Sequence, residues 1–173
     1  MLIQNYTLNT TRYLLNYLLT TNYKEVLLLQ ALPGYMNCFV CGKNNPIGLN
    51  IAFFKDQDKI KAEFIPESKH QGFKGIVHGG ILSSILDEIM GRTAIITRDV
   101  MTMTVEINIK YRKKALVGEK IIFAAQMTKD LGRMIEAQAE ARSEDGTLLT
   151  EAKGKFIVLS KEMQKEVEEY MRP

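Results

Sequence analysis

From Met101 to Arg112 the chain alternates without a break. Met101, Met103, Val105, Ile107, Ile109 and Tyr111 fall on one face, and Thr102, Thr104, Glu106, Asn108, Lys110 and Arg112 on the other. Extended backbone sends successive side chains to opposite faces, so this period of two predicts a long, half-buried strand. More strand-like segments follow, "KIIFAAQMT", "MIEAQAEARSE" and "LLTEAKGKFIVLS", joined by the turns "KDLGR" and "DG". Upstream, "LNIAFF" and "KIKAEFI" flank "KDQD" and read as a hairpin. Only one long helical pattern separates these two groups. The order strand, strand, helix, strands predicts an α+β domain whose antiparallel sheet wraps around one long central helix.

That helix is announced by "GIVHGGILSSILDEIMG", Gly75 to Gly91. At 100° per residue, Ile81, Leu82, Ile85, Leu86, Ile89 and Met90 form a broad apolar face for the sheet. Ser83, Ser84, Asp87 and Gly91 fall on the far side, where small residues allow close approach; Glu88 turns toward the sheet side as a surface or ion-pair residue. A helix start offers unpaired N–H groups and partial positive charge. Gly79 and Gly80 keep side chains away from that end, so the oxyanion of a carbonyl under attack can reach the donors. Asp87 lies about 12 Å further along the axis, too far to serve the same carbonyl within one chain. The pairing therefore calls for a second copy and a dimeric site.

The charge balance, 23 basic against 20 acidic residues, is too mild to argue for a nucleic-acid partner. No uncharged apolar run reaches the 18 or so residues that would suggest a membrane span, and the N-terminus lacks the pattern of a secretory signal. Cytoplasmic localisation is expected. Residues 1–34 are expected to be an N-terminal helical extension, as one helix or as two broken near Thr20-Thr21-Asn22. The main domain is expected over residues 35–160, with a polar tail or short helix over 161–173. Two cysteines, Cys38 and Cys41, are too few for a disulfide scaffold. With His70 and His78 they make half of a zinc pattern, but the histidines are spaced too widely, so no metal site is expected. "CFVCG" is read instead as a packed loop covering the pocket. His78 is read as a turn histidine, and His70 as either an exposed loop residue or part of the pocket mouth.

"VHGGILSSILDEIMG", preceded by "HQG" and by "CFVCGKNNPIGLN", resembles the hotdog-fold acyl-CoA thioesterases. The branch it is most similar to begins with a CxxCG and NPxGL stretch, and "MTVEINIKYRKK" and "LGRMIEAQAEARSEDG" add to the likeness over about Met36 to Ser160. The resemblance implies hydrolysis of an acyl-CoA to free acid and coenzyme A, with no bound cofactor, in dimers or dimers of dimers whose sites are shared between subunits. It implies Asp87 as general base or nucleophile, Gly79 as the N–H that polarises the thioester, His78 as the residue shaping that turn, and Thr104 as an assisting hydroxyl. Several relatives carry a water-orienting Asn six residues before the histidine; here Gly72 stands there, and Gln71 is the candidate substitute. Gly80, Lys110, Arg112, Lys113, Lys114 and Arg133 are candidates for binding coenzyme A, the basic ones through its phosphates. The rival reading is a non-catalytic acyl-CoA sensor or interaction protein on the same fold.

Overall fold

The computed structural model describes residues 30–32 and 34–171. The helix expected over residues 1–34 lies almost wholly outside them; its described piece, Gln30–Ala31, is not helical but a short strand, β1. There follow β2 (Phe53–Asp56), β3 (Lys59–Phe64), a 3₁₀ turn at Ser68–His70 and the long helix α1 (Gly79–Arg98). After it come β4 (Thr102–Tyr111), β5 (Ile121–Asp130), β6 (Met134–Ser143), β7 (Leu148–Val158) and α2 (Lys161–Met171). All strands join one antiparallel sheet in the order β1-β2-β3-β5-β6-β7-β4. The strand that leaves α1 thus crosses to the far edge of the sheet.

The sheet holds α1 because its inner face is graded in size. Phe53, Ile60, Phe64, Ile121, Phe123 and Phe156 supply bulk, while Ala125, Ala137, Ala139, Ala141 and Ala152 hollow the middle. Leu82, Ile85, Leu86, Ile89 and Met90 fill that hollow, the last four with no exposed surface. Gly154 extends it at β7, where an added Cβ would lie 2.6 Å from the Phe156 ring and 3.2 Å from Met90 Cε. The wrapped-helix expectation holds, and the helix runs seven residues past Gly91 to an Asp99 cap in the left-handed region at φ 52°.

Two details of the strands differ from the sequence pattern. The hairpin begins later than expected, at Phe53, because Leu49 and Ile51 give their N–H groups to Phe39 and Val40 of the cysteine loop. Asn50 between them takes φ 53°, which an extended strand does not permit. In β4 the register against β7 shifts between Thr104 and Glu106, so Val105 is an extra, bulged residue. One extra residue reverses the facing of everything after it. Before the bulge, Thr102 and Thr104 look toward α1 while Met103 and Val105 are exposed; after it, Ile107, Ile109 and Tyr111 look inward. The six apolar residues of the alternation therefore do not share a face.

Candidate active site

The start of α1 is anchored from both sides. Val77 N–H donates to Ala115 O at 3.0 Å and His78 N–H to His70 O at 2.9 Å. His78 is extended, at φ −63° and ψ 133°, and its Nδ1 accepts from Gly80 N–H at 2.9 Å. It is the N-cap, a histidine doing what Ser or Asp usually does. This corrects one expectation: Gly80's N–H is already satisfied and is not open to a ligand. Gly79 N–H, by contrast, finds no acceptor among the described residues. Tyr111, which the sequence reading did not place at the site, lies over this first turn. Its hydroxyl donates to Gly79 O at 3.0 Å and sits 2.5 Å from Ser83 Oγ, and a Cβ on Gly79 would come within 3.3 Å of its ring.

Two turns along, Asp87 Oδ1 accepts from Thr104 Oγ1 at 2.8 Å. The bulge at Val105 makes this bond possible, since unbroken alternation from Ile107 would turn Thr104 away. The far side of α1 is thus the side that meets β4: Ser83 meets Tyr111, Asp87 meets Thr104, and Gly91 lies 3.9 Å, as an added Cβ, from Thr102 Oγ1. Small residues there let an edge strand come close. Burial raises the Asp87 carboxyl above its usual range; the Thr104 hydroxyl pulls it back and the neighbouring Glu88 charge pushes it up. The result is a half-buried carboxylate that is more basic than one in water.

Gln71 is near the helix start in sequence, but its Oε1 accepts from Gly75 N–H at 3.1 Å and braces its own loop. No Asn fits at Gly72 without movement, because a Cβ there would lie 3.2 Å from His78 Cδ2. His70 is buried rather than exposed; its ring is tilted against Phe64 with centroids 5.1 Å apart, and its Nδ1 accepts from Glu67 N–H at 2.9 Å. Burial lowers its pKa, consistent with a neutral acceptor.

The basic candidates do not form one patch. Lys110 projects from the outer face of the sheet into a groove it shares with Glu106, Glu151 and Lys153. Arg112 pairs with Glu151 at 2.6 Å. Lys113 and Lys114 border a separate shallow hollow with Glu119, Glu144 and Asp145. Arg133 precedes Met134, which pairs with Ile157 beside the start of β4, whereas Tyr111 pairs with Thr150 at its end. A strand of this length spans about 30 Å, so Arg133 and Lys113 lie at opposite ends of the sheet. Within one chain they do not hold the same phosphates.

Residues 74–150 match the thioesterase superfamily. The chain is 34% identical over 112 residues to the mouse acyl-coenzyme A thioesterase THEM4, covering 64% of this chain and 48% of that protein. Among solved structures, a Streptococcus mutans protein bound to acetyl CoA aligns with a TM-score of 0.62 at 17% identity, over 69% of this chain and 96% of its own. Zebrafish thioesterase superfamily member 2 aligns at 0.58 and 20% identity, over 89% of this chain and 99% of its own. The fold is the hotdog fold of these thioesterase structures, and residues 74–150 are the part that matches the superfamily in sequence. It spans about half the length of the curated relatives it matches. Among the described residues of the domain, no helix is long and apolar enough to cross a membrane.

Proposed function

We propose that this chain is an acyl-CoA thioesterase, and the observation that carries the proposal is the Thr104–Asp87 hydrogen bond. It holds a carboxylate of raised basicity on the one face of α1 that small residues leave open to β4. In the proposed reaction, ionised Asp87 takes a proton from water as the water oxygen attacks the thioester carbon. The carbonyl electrons move onto oxygen, and a Gly79 N–H stabilises that charge by about 2.7–4 kcal/mol. Collapse expels the coenzyme A thiolate, which recovers the proton, leaving the free acid. Direct attack by Asp87 is the alternative route: the acyl group passes to the carboxylate as the thiolate leaves, water cleaves the resulting anhydride at the Asp87 carbonyl, and ¹⁸O from labelled water then enters Asp87 during a single turnover. Since Gly79 and Asp87 are about 12 Å apart along one helix, the proposal places them at one carbonyl from two copies of the chain. A cytosolic homodimer, or a pair of dimers, is part of the same reading.

Resemblance to the mouse thioesterase, and to a structure holding acetyl CoA, supports this choice of substrate class. The test is release of free thiol from a panel of acyl-CoA thioesters differing in chain length and aromaticity. Turnover of at least one, lowered about 10²-fold or more by Asp87→Asn, is the expected result. Tight binding of acyl-CoA with no turnover of any would replace the enzyme by a sensor.

A further inference from the structure

Away from the proposed reaction, two sulfurs and a carboxylate converge where the loop before β2 meets α1. One ligand atom each from Cys38, Cys41 and Glu88 lies within 4.8 Å of the others. Cys38 Sγ is 3.7 Å from Glu88 Oε2, and Cys41 Sγ is 3.4 Å from Oε1. Tetrahedral zinc, with bonds of about 2.3 Å to sulfur and about 2.1 Å to oxygen, sets sulfur–oxygen separations at about 3.6 Å. Each sulfur already lies near that distance from one Glu88 oxygen, Cys38 from Oε2 and Cys41 from Oε1.

Donors point at both sulfurs, while each thiol in turn points its proton at a Glu88 oxygen, a proton that metal binding would release. The N–H of Val40 donates to Cys38 Sγ at 3.3 Å. Cys41 Sγ accepts from Tyr35 N–H at 3.3 Å and from the Arg92 guanidinium at 2.9 Å. Donors aimed at sulfur favour the thiolate, the form that binds metal. Arg92 is only 3% exposed, lies over the Tyr35 and Phe53 rings, and grips Glu88 Oε1 through two nitrogens at 3.0 and 2.9 Å. Oε2 is left facing Cys38. Once both thiols give up their protons on binding, two thiolates and a carboxylate against one guanidinium carry a charge that one divalent cation neutralises.

We propose that Cys38, Cys41 and Glu88 form a zinc site, with Arg92 as its outer-sphere cation and water in the fourth position. Soft thiolates select zinc over magnesium or calcium. The site clamps the 35–51 loop, which contributes Val40, Cys41, Leu49 and Ile51 to the core, onto the helix that carries Asp87. This departs from the expectation of no metal site. That expectation considered His70 and His78 as the other ligands, and both have Nδ1 committed to backbone N–H groups. The third ligand comes from α1. The inference does not depend on hydrolysis.

The test uses the whole chain, reduced with a phosphine and stripped of metal, titrated with Co²⁺ and then Zn²⁺ in excess Mg²⁺. One equivalent of Co²⁺ should give thiolate charge-transfer bands and the visible spectrum of a tetrahedral centre, both erased by one equivalent of Zn²⁺. Cys38→Ser should abolish the bands, and Glu88→Gln should weaken Zn²⁺ binding about tenfold or more while leaving thiolate bands at high Co²⁺. The wild-type spectrum decides the matter even if a variant fails to fold. Absence of thiolate bands, or uptake that survives in Cys38→Ser with Cys41→Ser, overturns the site. So does a metal-free chain isolated anaerobically with a mass lower by two hydrogens, which would make the cluster a disulfide-forming pair.

Discussion

Replacing Thr104 by valine removes the hydroxyl that donates to Asp87 Oδ1 and keeps the shape of the side chain. Burial raises the Asp87 carboxyl, and the Thr104 hydrogen bond is the effect that lowers it. Without that bond the protonated form gains, so Asp87 stays neutral to higher pH. A hydrogen bond to a charged group contributes about 1.5–3 kcal/mol, and because Thr104 is exposed the lower end applies. About 1.5 kcal/mol is roughly a tenfold change in an equilibrium. A general base works only when ionised, so the acid limb of kcat/KM should move to higher pH. The variant should lose about tenfold on that limb and little on the alkaline plateau, where Asp87 is ionised in both proteins. The assay is thiol release at limiting acyl-CoA from about pH 4 to about pH 9, with folding checked by circular dichroism at each pH. An equal loss at every pH would refute the reasoning, since it would make Thr104 a substrate contact or a packing residue.

Four other outcomes are expected. Asp87→Asn should lower hydrolysis by about 10²-fold or more and raise the melting temperature at neutral pH. The carboxyl is raised in the fold, so its contribution is fullest below the ordinary 3.8 and is lost as pH rises through the folded value; a lower melting temperature would contradict this. Gly79→Pro removes an N–H at a first-turn position whose backbone accepts proline, after a suitably extended His78, once Tyr111 gives way slightly to the ring; with the fold checked by circular dichroism, mixed heterodimers with Asp87→Asn should regain activity, and verified heterodimers without recovery would place the site in one chain. Lys113→Gln with Lys114→Gln should raise KM for acyl-CoA at nearly constant kcat, more at low salt, and leave an acyl-pantetheine unaffected; equal effects on both substrates would make these lysines structural. Arg92→Met should destabilise the metal-free chain by about 3 kcal/mol in urea, because Glu88 keeps its thiol contacts but loses the guanidinium that neutralises it in a mostly buried place, and a loss under about 1 kcal/mol would show that Glu88 finds water instead.

The sequence by itself determined the elements that depend on short-range periodicity. The 3.6-residue spacing of Leu82, Ile85, Leu86, Ile89 and Met90 can be buried only as one face of a helix, and each is buried. Gly79 at the helix start and Asp87 two turns on were legible for the same reason, since helix geometry fixes their separation. What tertiary structure decided was every question of facing and partnership. Thr104 belonged by parity to the polar side of β4, and only the bulge at Val105, a matter of register against β7, turns it to Asp87. Nothing in residues 101–112 marks that bulge, because it arises from pairing with residues about fifty positions away, Thr104 with Phe156 and Glu106 with Lys155. Tyr111 reaches Gly79, and Glu88 reaches Cys38 and Cys41, through the same kind of long-range closure, although the Glu88–Arg92 spacing of four was a readable sign of an ion pair. Lys113 and Arg133, both basic ends of strands in the sequence, are separated by the length of the sheet. Local spacing sets which side chains share an element, and the folded chain sets which of them meet.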